Sequence, residues 1–115
     1  MNEDLFATIY NNIPSFIDSI DNVVDGVTGT NGAYAEQASA FLSRCLEIFP
    51  GIIRSYSDDR LLRYSGDIEY WSNLLNKIIQ TFKETDRYKI IDVLYFETKQ
   101  SILEYKDLLE KMELV

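Results

Sequence analysis

Histidine is absent from this 115-residue sequence, and cysteine occurs once, as Cys45. The first absence excludes His-ligated metal sites, a histidine general base, and Ser–His or Cys–His nucleophile pairs. The second excludes an intrachain disulfide and a four-cysteine zinc site within one chain. Proline occurs only at Pro14 and Pro50, so most of the chain is open to uninterrupted helix. No apolar run approaches the roughly 18–20 residues that span a bilayer, and the start, MNEDLFATIY, lacks the cationic, apolar character of a secretory signal. Lysine and arginine are missing from residues 1–43, which carry Glu3, Asp4, Asp18, Asp21, Asp25 and Glu36. Over the whole chain 19 acidic residues face 11 basic ones, a formal charge of −8. That balance opposes binding to nucleic acid or to anionic membrane surfaces. A cytoplasmic protein without bound cofactor is the expectation.

What is present reads as helix. Leu5, Phe6, Ile9, Ile13, Phe16, Ile17, Ile20, Val23, Val24 and Val27 fall in one wedge at about 100° per residue, giving a first helix from about Glu3 to Val27. Pro14 lies inside this stripe without changing its phase, which predicts a kinked helix rather than two separate ones. Thr28–Gly32 collects turn formers and two glycines and predicts a loop. A second stripe follows through Tyr34, Ala38, Phe41, Leu42, Cys45, Ile48, Phe49, Ile52 and Tyr56. Pro50-Gly51 falls within it, so a bend there competes with an early stop near Phe49. Ser57-Asp58-Asp59 offers capping chemistry for the next element.

A third stripe comprises Leu61, Tyr64, Ile68, Trp71, Leu75, Ile78, Ile79 and Phe82, with Ser65 an alternative start that leaves Arg60 to Tyr64 as a separate turn. Thr85 or Asp86 can cap a fourth helix from about Arg87 to Glu113. Its core face would hold Tyr88, Ile91, Leu94, Tyr95, Thr98, Ile102, Tyr105, Leu109 and Met112. No strand-like alternation competes. Helices this long with short connections pack as antiparallel neighbours, so the expected fold is an all-α, single-domain, up-down-up-down four-helix bundle, bent at Pro14 and Pro50.

Candidate chemistry fails on spacing. A helix–loop–helix calcium site beginning at Asp25 would need oxygen ligands where Val27 and Gly29 stand, and only Glu36 falls correctly. The glycine-rich loop has Ala33 where a phosphate-binding loop needs lysine. Cys45 lies on a core face between Phe41 and Phe49, the setting of an inert buried thiol. Asp92 and Glu97 sit five residues apart on one helix and point in different directions. Most of the eight tyrosines lie on or beside core stripes, with Tyr70 outside its own. They suit amphipathic packing, or a tyrosine-lined ligand pocket.

Two surfaces stand out. Asp4, Asp18, Asp21 and Asp25 share the helix-one face opposite its apolar stripe, a solvated face or a docking surface for a basic protein. Val93, Phe96, Leu103 and Leu114 lie away from Ile91 and Leu109 on helix four, either as scattered apolar residues or as an oligomer seam, possible in a homodimer.

The segment Asp86-Arg87-Tyr88-Lys89-Ile90-Ile91-Asp92-Val93-Leu94-Tyr95-Phe96-Glu97 resembles one in small, acidic, all-helical bacterial proteins of unknown function. Asp92, Leu94, Phe96 and Glu97 match its core, Ile102 and Tyr105 its later positions, and Ile13-Pro14 with Phe16-Ile17 is similar near the start. The resemblance implies a helical bundle and assigns no activity; Thr28–Gly32 departs from it as a longer turn. The expected function is a non-enzymatic protein–protein interaction module, an adaptor or small chaperone. The alternatives are an immunity or antitoxin-type inhibitor of a basic toxin and a small-molecule-binding bundle.

Overall fold

A computed structural model describes residues 2–29, 34–84 and 86–115; the side chains of 2–4 and 34–35 fall outside the description, as do Thr30–Gly32 of the expected loop and Thr85. The described residues form helices and no strand. Their order is α1 (Asn2–Thr28), α2 (Tyr34–Ser55), a 3₁₀ turn (Asp59–Tyr64), α3 (Asp67–Glu84), α4 (Arg87–Ile91), a π-helical segment (Asp92–Lys99) and α5 (Gln100–Lys111). The last three run on without a break as one C-terminal rod.

Both prolines lie inside helices, so α2 does not stop at Phe49. Pro50 withholds a donor from the carbonyl of Leu46, a residue on the solvent side at 60% exposure. Gly51 is buried against α1, where an added Cβ would meet the Ile9 side chain at 3.5 Å. The apolar stripes meet as expected: Phe6, Ile20, Val23, Phe41, Cys45, Phe49, Ile52 and Ile78 are all sealed from solvent. In α3 it is Leu74, rather than Leu75, that is fully buried. Asp58 caps the 3₁₀ turn by accepting from the Arg60 N–H, and its carboxylate also takes the Arg60 side chain at 2.9 and 3.0 Å. Asp86 caps α4 through the N–H groups of Tyr88 and Lys89.

The fourth helix differs from expectation in its middle. Ile90, Leu94, Thr98 and Ile102 are buried at steps of four residues. At about 3.6 residues per turn three such steps would rotate the stripe by about 120°. The π segment removes that drift, because its i→i+5 hydrogen bonds take in an extra residue per turn. Thr98 donates its hydroxyl to the Val93 carbonyl, five residues back, at 2.8 Å, satisfying a buried polar side chain within the widened turn. The first turns of the rod consequently face differently than a plain α-helix predicts. Ile90 is buried, and Tyr88, expected near the core, is 83% exposed.

The rod also ends earlier than Glu113. Leu114 donates its N–H to the Leu109 carbonyl and Glu113 donates to Glu110, with Glu113 at φ 56°: a Schellman reversal that folds Leu114 onto the core. Such left-handed geometry costs a non-glycine residue roughly 1–2 kcal/mol. Glu113→Gly is therefore expected to stabilise the chain by about 1 kcal/mol, seen as a higher urea midpoint at unchanged slope; a lower midpoint would show that the Glu113 side chain itself holds the terminus.

Candidate functional site

Among the described residues, no group of three or more Asp, Glu or Cys side chains could hold a metal ion. Asp92 and Glu97 are not brought together either: Glu97 accepts from Lys77 of α3 at 2.8 Å, and Asp92 is exposed. Cys45 is sealed in the core, and its burial pushes the thiol above its ordinary range. It is a packing residue, with no exposed thiolate to react.

The four residues of the expected oligomer seam do not share a surface. Val93 is 2% exposed and Leu114 6%, the first turned inward by the π segment and the second by the Schellman reversal. Leu103 is half-buried. Phe96 alone projects, at 69% exposure.

The acidic face of α1 is interrupted as well. Asp18 and Asp25 are exposed, but Asp21 between them is half-buried and accepts from Lys99 of the π segment at 3.3 Å. The Asp4 side chain lies outside the description. Lys99 also stands over the Tyr95 ring, 4.7 Å from its centroid, and the Tyr95 and Phe96 rings lie 6.4 Å apart. Contacts thus run from Asp21 of α1 through Lys99 and Tyr95 to the projecting ring of Phe96. Sequence reasoning placed Asp21 and Phe96 on separate surfaces, because nothing in the one-dimensional pattern shows that Lys99 joins them.

A second feature bears on the tyrosine-lined pocket that the sequence left open as an alternative to amphipathic packing. Tyr56 just past α2, Tyr70 and Trp71 from α3, and Tyr105 from α5 gather around a cleft of about 230 Å³, with Asp67 and Glu104 also lining it. Neighbouring rings stand nearly perpendicular: Trp71 makes 81° with Tyr70 and 83° with Tyr105, at centroid distances of 5.8 and 5.9 Å. The polar atoms of these rings are held from within. The Trp71 indole N–H donates to the Tyr56 hydroxyl at 3.1 Å, the Tyr105 and Ser55 hydroxyls pair at 2.7 Å, and Tyr70 pairs with Ser101. Burial pushes the Tyr56 phenol up to about 12; the indole N–H opposes this and the charge of Asp67 adds to it. Burial raises Tyr105 further, against the pull of Ser55. The buried indole and phenols supply apolar area with satisfied polar tips.

A second groove, of about 240 Å³, lies between α1 and α2, lined by Ile9, Phe16 and Gly51 and edged by Arg44, Glu47 and Arg54. Arg44 donates across it to the Ser15 hydroxyl at 3.0 Å. Its mixed charges select no ligand sign.

No family model matches the chain, and comparisons with curated proteins and with solved structures also find no match.

Proposed function

We propose that this chain is a non-enzymatic protein-interaction module, an adaptor or small chaperone of the cytoplasm, that holds a basic partner along the junction of α1 and the C-terminal rod. The observation that carries this reading is the projection of Phe96, 69% exposed, beside Tyr95 and Lys99, which reach Asp21 of α1. Exposed aromatic rings are enriched where proteins dock, and isolated large ones contribute most when a partner seals them. Asp18 and Asp25 flank Asp21 by one helical turn each way, so a segment lying across Phe96 would meet a negative field along α1. The residues suit a partner that alternates apolar and cationic side chains. Among the described residues no helix is long and apolar enough to cross a membrane, which accords with such a role.

The scaffold for this role is proposed as an up-down-up-down four-helix bundle, bent at Pro14 and Pro50. The contacts that support it pair early with late residues along each neighbour: Tyr10 donates to Glu110 at 2.6 Å while Asp21 meets Lys99, and Phe41 packs on Phe82 while Phe49 packs on Trp71.

Immobilised chain used to capture proteins from cell extract tests the interaction. Capture of a specific partner is expected to fall at least about tenfold with Phe96→Ser, a loss of about 1.4 kcal/mol. It should also weaken with Asp18→Asn/Asp25→Asn and on raising salt from about 0.05 to about 0.5 M. A partner set indifferent to all three changes would overturn the assignment. Because these side chains are exposed, the variants should retain wild-type stability within about 0.5 kcal/mol.

A further inference from the structure

We propose that the outer face shared by α2 and α3 binds a second copy of this chain, the two copies related by a two-fold axis and running antiparallel. The face follows from helical phase. α2 meets α1 along Arg44, Ile48 and Gly51, which line the groove between them, and the opposite side of α2 carries Leu42, Leu46 and Ile53. α3 meets the rod along Tyr70 and Lys77, which bond to Ser101 and Glu97, and its opposite side carries Ile68, Leu75 and Ile79. Phe41 on Phe82 and Phe49 on Trp71 hold the two helices side by side, so the two rows form one surface. Leu46 projects from its middle at 60% exposure, and the other five are half-buried. The residues interleaved with them, Ser39, Ser43 and Pro50 on α2 and Ser72 and Asn76 on α3, are uncharged, although 26% of the chain is charged. Depletion of charge is what distinguishes the centre of an interface from ordinary surface.

The occupant follows from charge. A second copy brings a formal charge of −8, and a two-fold contact sets one surface against itself. Joined through α1, two copies would oppose Asp18 and Asp25 to their own kind; through the rod, Asp92 and Glu104, all exposed. The α2–α3 face has no carboxylate within its apolar rows. Its charges stand toward the ends: Glu36 in the first turn of α2 and Arg54 in the last, Glu69 in the first turn of α3 and Lys83 in the last. Turning one copy about an axis across the helices lays Glu36 against Arg54 of the second copy, and Glu69 against its Lys83. One axis serves both pairings. Cys45 is the midpoint of Glu36 and Arg54, and Asn76 is that of Glu69 and Lys83. The ring contacts set those two levels side by side, because Cys45 also lies midway between Phe41 and Phe49, and Asn76 midway between Trp71 and Phe82 to within a residue. Leu46 therefore stands at the axis. A foreign partner has no reason to carry this charge pattern reversed, whereas a second copy necessarily does. The 18 residues of α3 run about 27 Å, and two helices abreast span about 20 Å, so the face offers roughly 500 Å² per copy. A pair buries about 1,000 Å², the lower bound for a specific interface, which makes the dimer a weak one.

Sedimentation equilibrium of the full chain from about 10 μM to about 1 mM tests this. The average mass is expected to rise from 13.4 kDa toward twice that value and no further. Leu46→Glu, which sets like charges together at the axis, should weaken association at least about tenfold. Arg54→Glu alone should weaken it too, and Glu36→Arg/Arg54→Glu should restore it. Phe96→Ser, outside this face, should leave the mass unchanged, which separates this contact from the partner surface proposed above. Urea midpoints at micromolar concentration should show Leu46→Glu as stable as the parent, since the side chain is exposed. In the wild-type chain, amide shifts that move with concentration should centre on residues 39–53 and 68–79, a reading that needs no variant. A mass of one chain throughout, an assembly larger than a dimer, indifference to Leu46→Glu, a charge swap that stays weak, or shift changes centred elsewhere would each overturn the proposal.

Discussion

Phe49→Ala is expected to cost about 3–5 kcal/mol, the range for removing a fully buried aromatic ring. Phe49 has no solvent exposure and sits between two helices. Its ring is 6.3 Å from Phe16 of α1 and stands edge-on to Trp71 of α3 at 5.5 Å. Phe41, two turns earlier, makes the parallel link from Phe16 to Phe82. Together the two rings of α2 join the outer helices, so truncating one opens a cavity that rigid neighbours on both sides cannot refill. Domains of this size have only about 5–15 kcal/mol in total, so the variant should be half-unfolded at a far lower urea concentration, with an unchanged slope if it still unfolds in one step. Leu46→Ala in the same helix is the control: at 60% exposure it should change stability by no more than about 0.5 kcal/mol. A cost for Phe49→Ala below about 1 kcal/mol would mean that α2 is not the element that ties α1 to α3.

The core face of α2 could be read from the sequence, and the reason is physical. Phe41, Cys45, Phe49 and Ile52 follow the period of a regular helix, and Pro50 falls on its exposed side, so the missing donor interrupts a solvated edge and leaves the stripe in phase. Asp58 and Asp86 were legible as caps for the same reason, since capping depends on residues two or three positions away. The fourth helix broke the rule that made the others readable. Ile90, Leu94, Thr98 and Ile102 keep one heading only if the turn widens, and a reader who assumes an α period assigns Ile91 and Tyr88 to the core and Val93 to the surface. The buried Thr98, with its bond to the Val93 carbonyl, is in hindsight the local mark of that widening. Leu114 was misplaced because a chain reversal, not a helical phase, decides where it points. A tyrosine-lined pocket could be raised from the stripes, but which rings meet, and the Asp21–Lys99 pair, lie beyond a reading by period, since each needs residues from helices far apart in the chain.

Raising the pH is expected to unfold this chain, and the buried acids that drive it lie in the same core. Cys45 has no exposure, and Tyr56 and Tyr105 are 2% exposed. Burial holds each proton more tightly than in the unfolded chain, with Tyr56 up to about 12 and the other two also raised. In the unfolded state a thiol ionises near pH 8.5 and a phenol near pH 10. Above those values the unfolded chain holds fewer protons than the native one, so stability is complete below about pH 8.5 and falls as pH rises toward the folded values. The slope reaches at most about 1.4 kcal/mol per pH unit for each group, and the phenols enter above about pH 10. Urea midpoints should therefore be level from about pH 7 to pH 8.5, then decline, most steeply beyond about pH 10.

Growing negative charge would also destabilise an acidic chain, but that effect is screened by salt, whereas proton linkage at buried groups is screened much less. The decline should persist at about 0.5 M salt. Tyr105→Phe separates the two causes further. It keeps the ring on Trp71 and removes the hydroxyl, while the Ser55 hydroxyl retains its bond to the Ile52 carbonyl at 2.5 Å. Near neutral pH the variant should lose only about 1 kcal/mol, and above pH 10 its stability should fall less steeply than that of the parent. Equal slopes in the two proteins would remove the buried phenol as a cause and leave general repulsion, with its salt dependence, as the source of the alkaline transition.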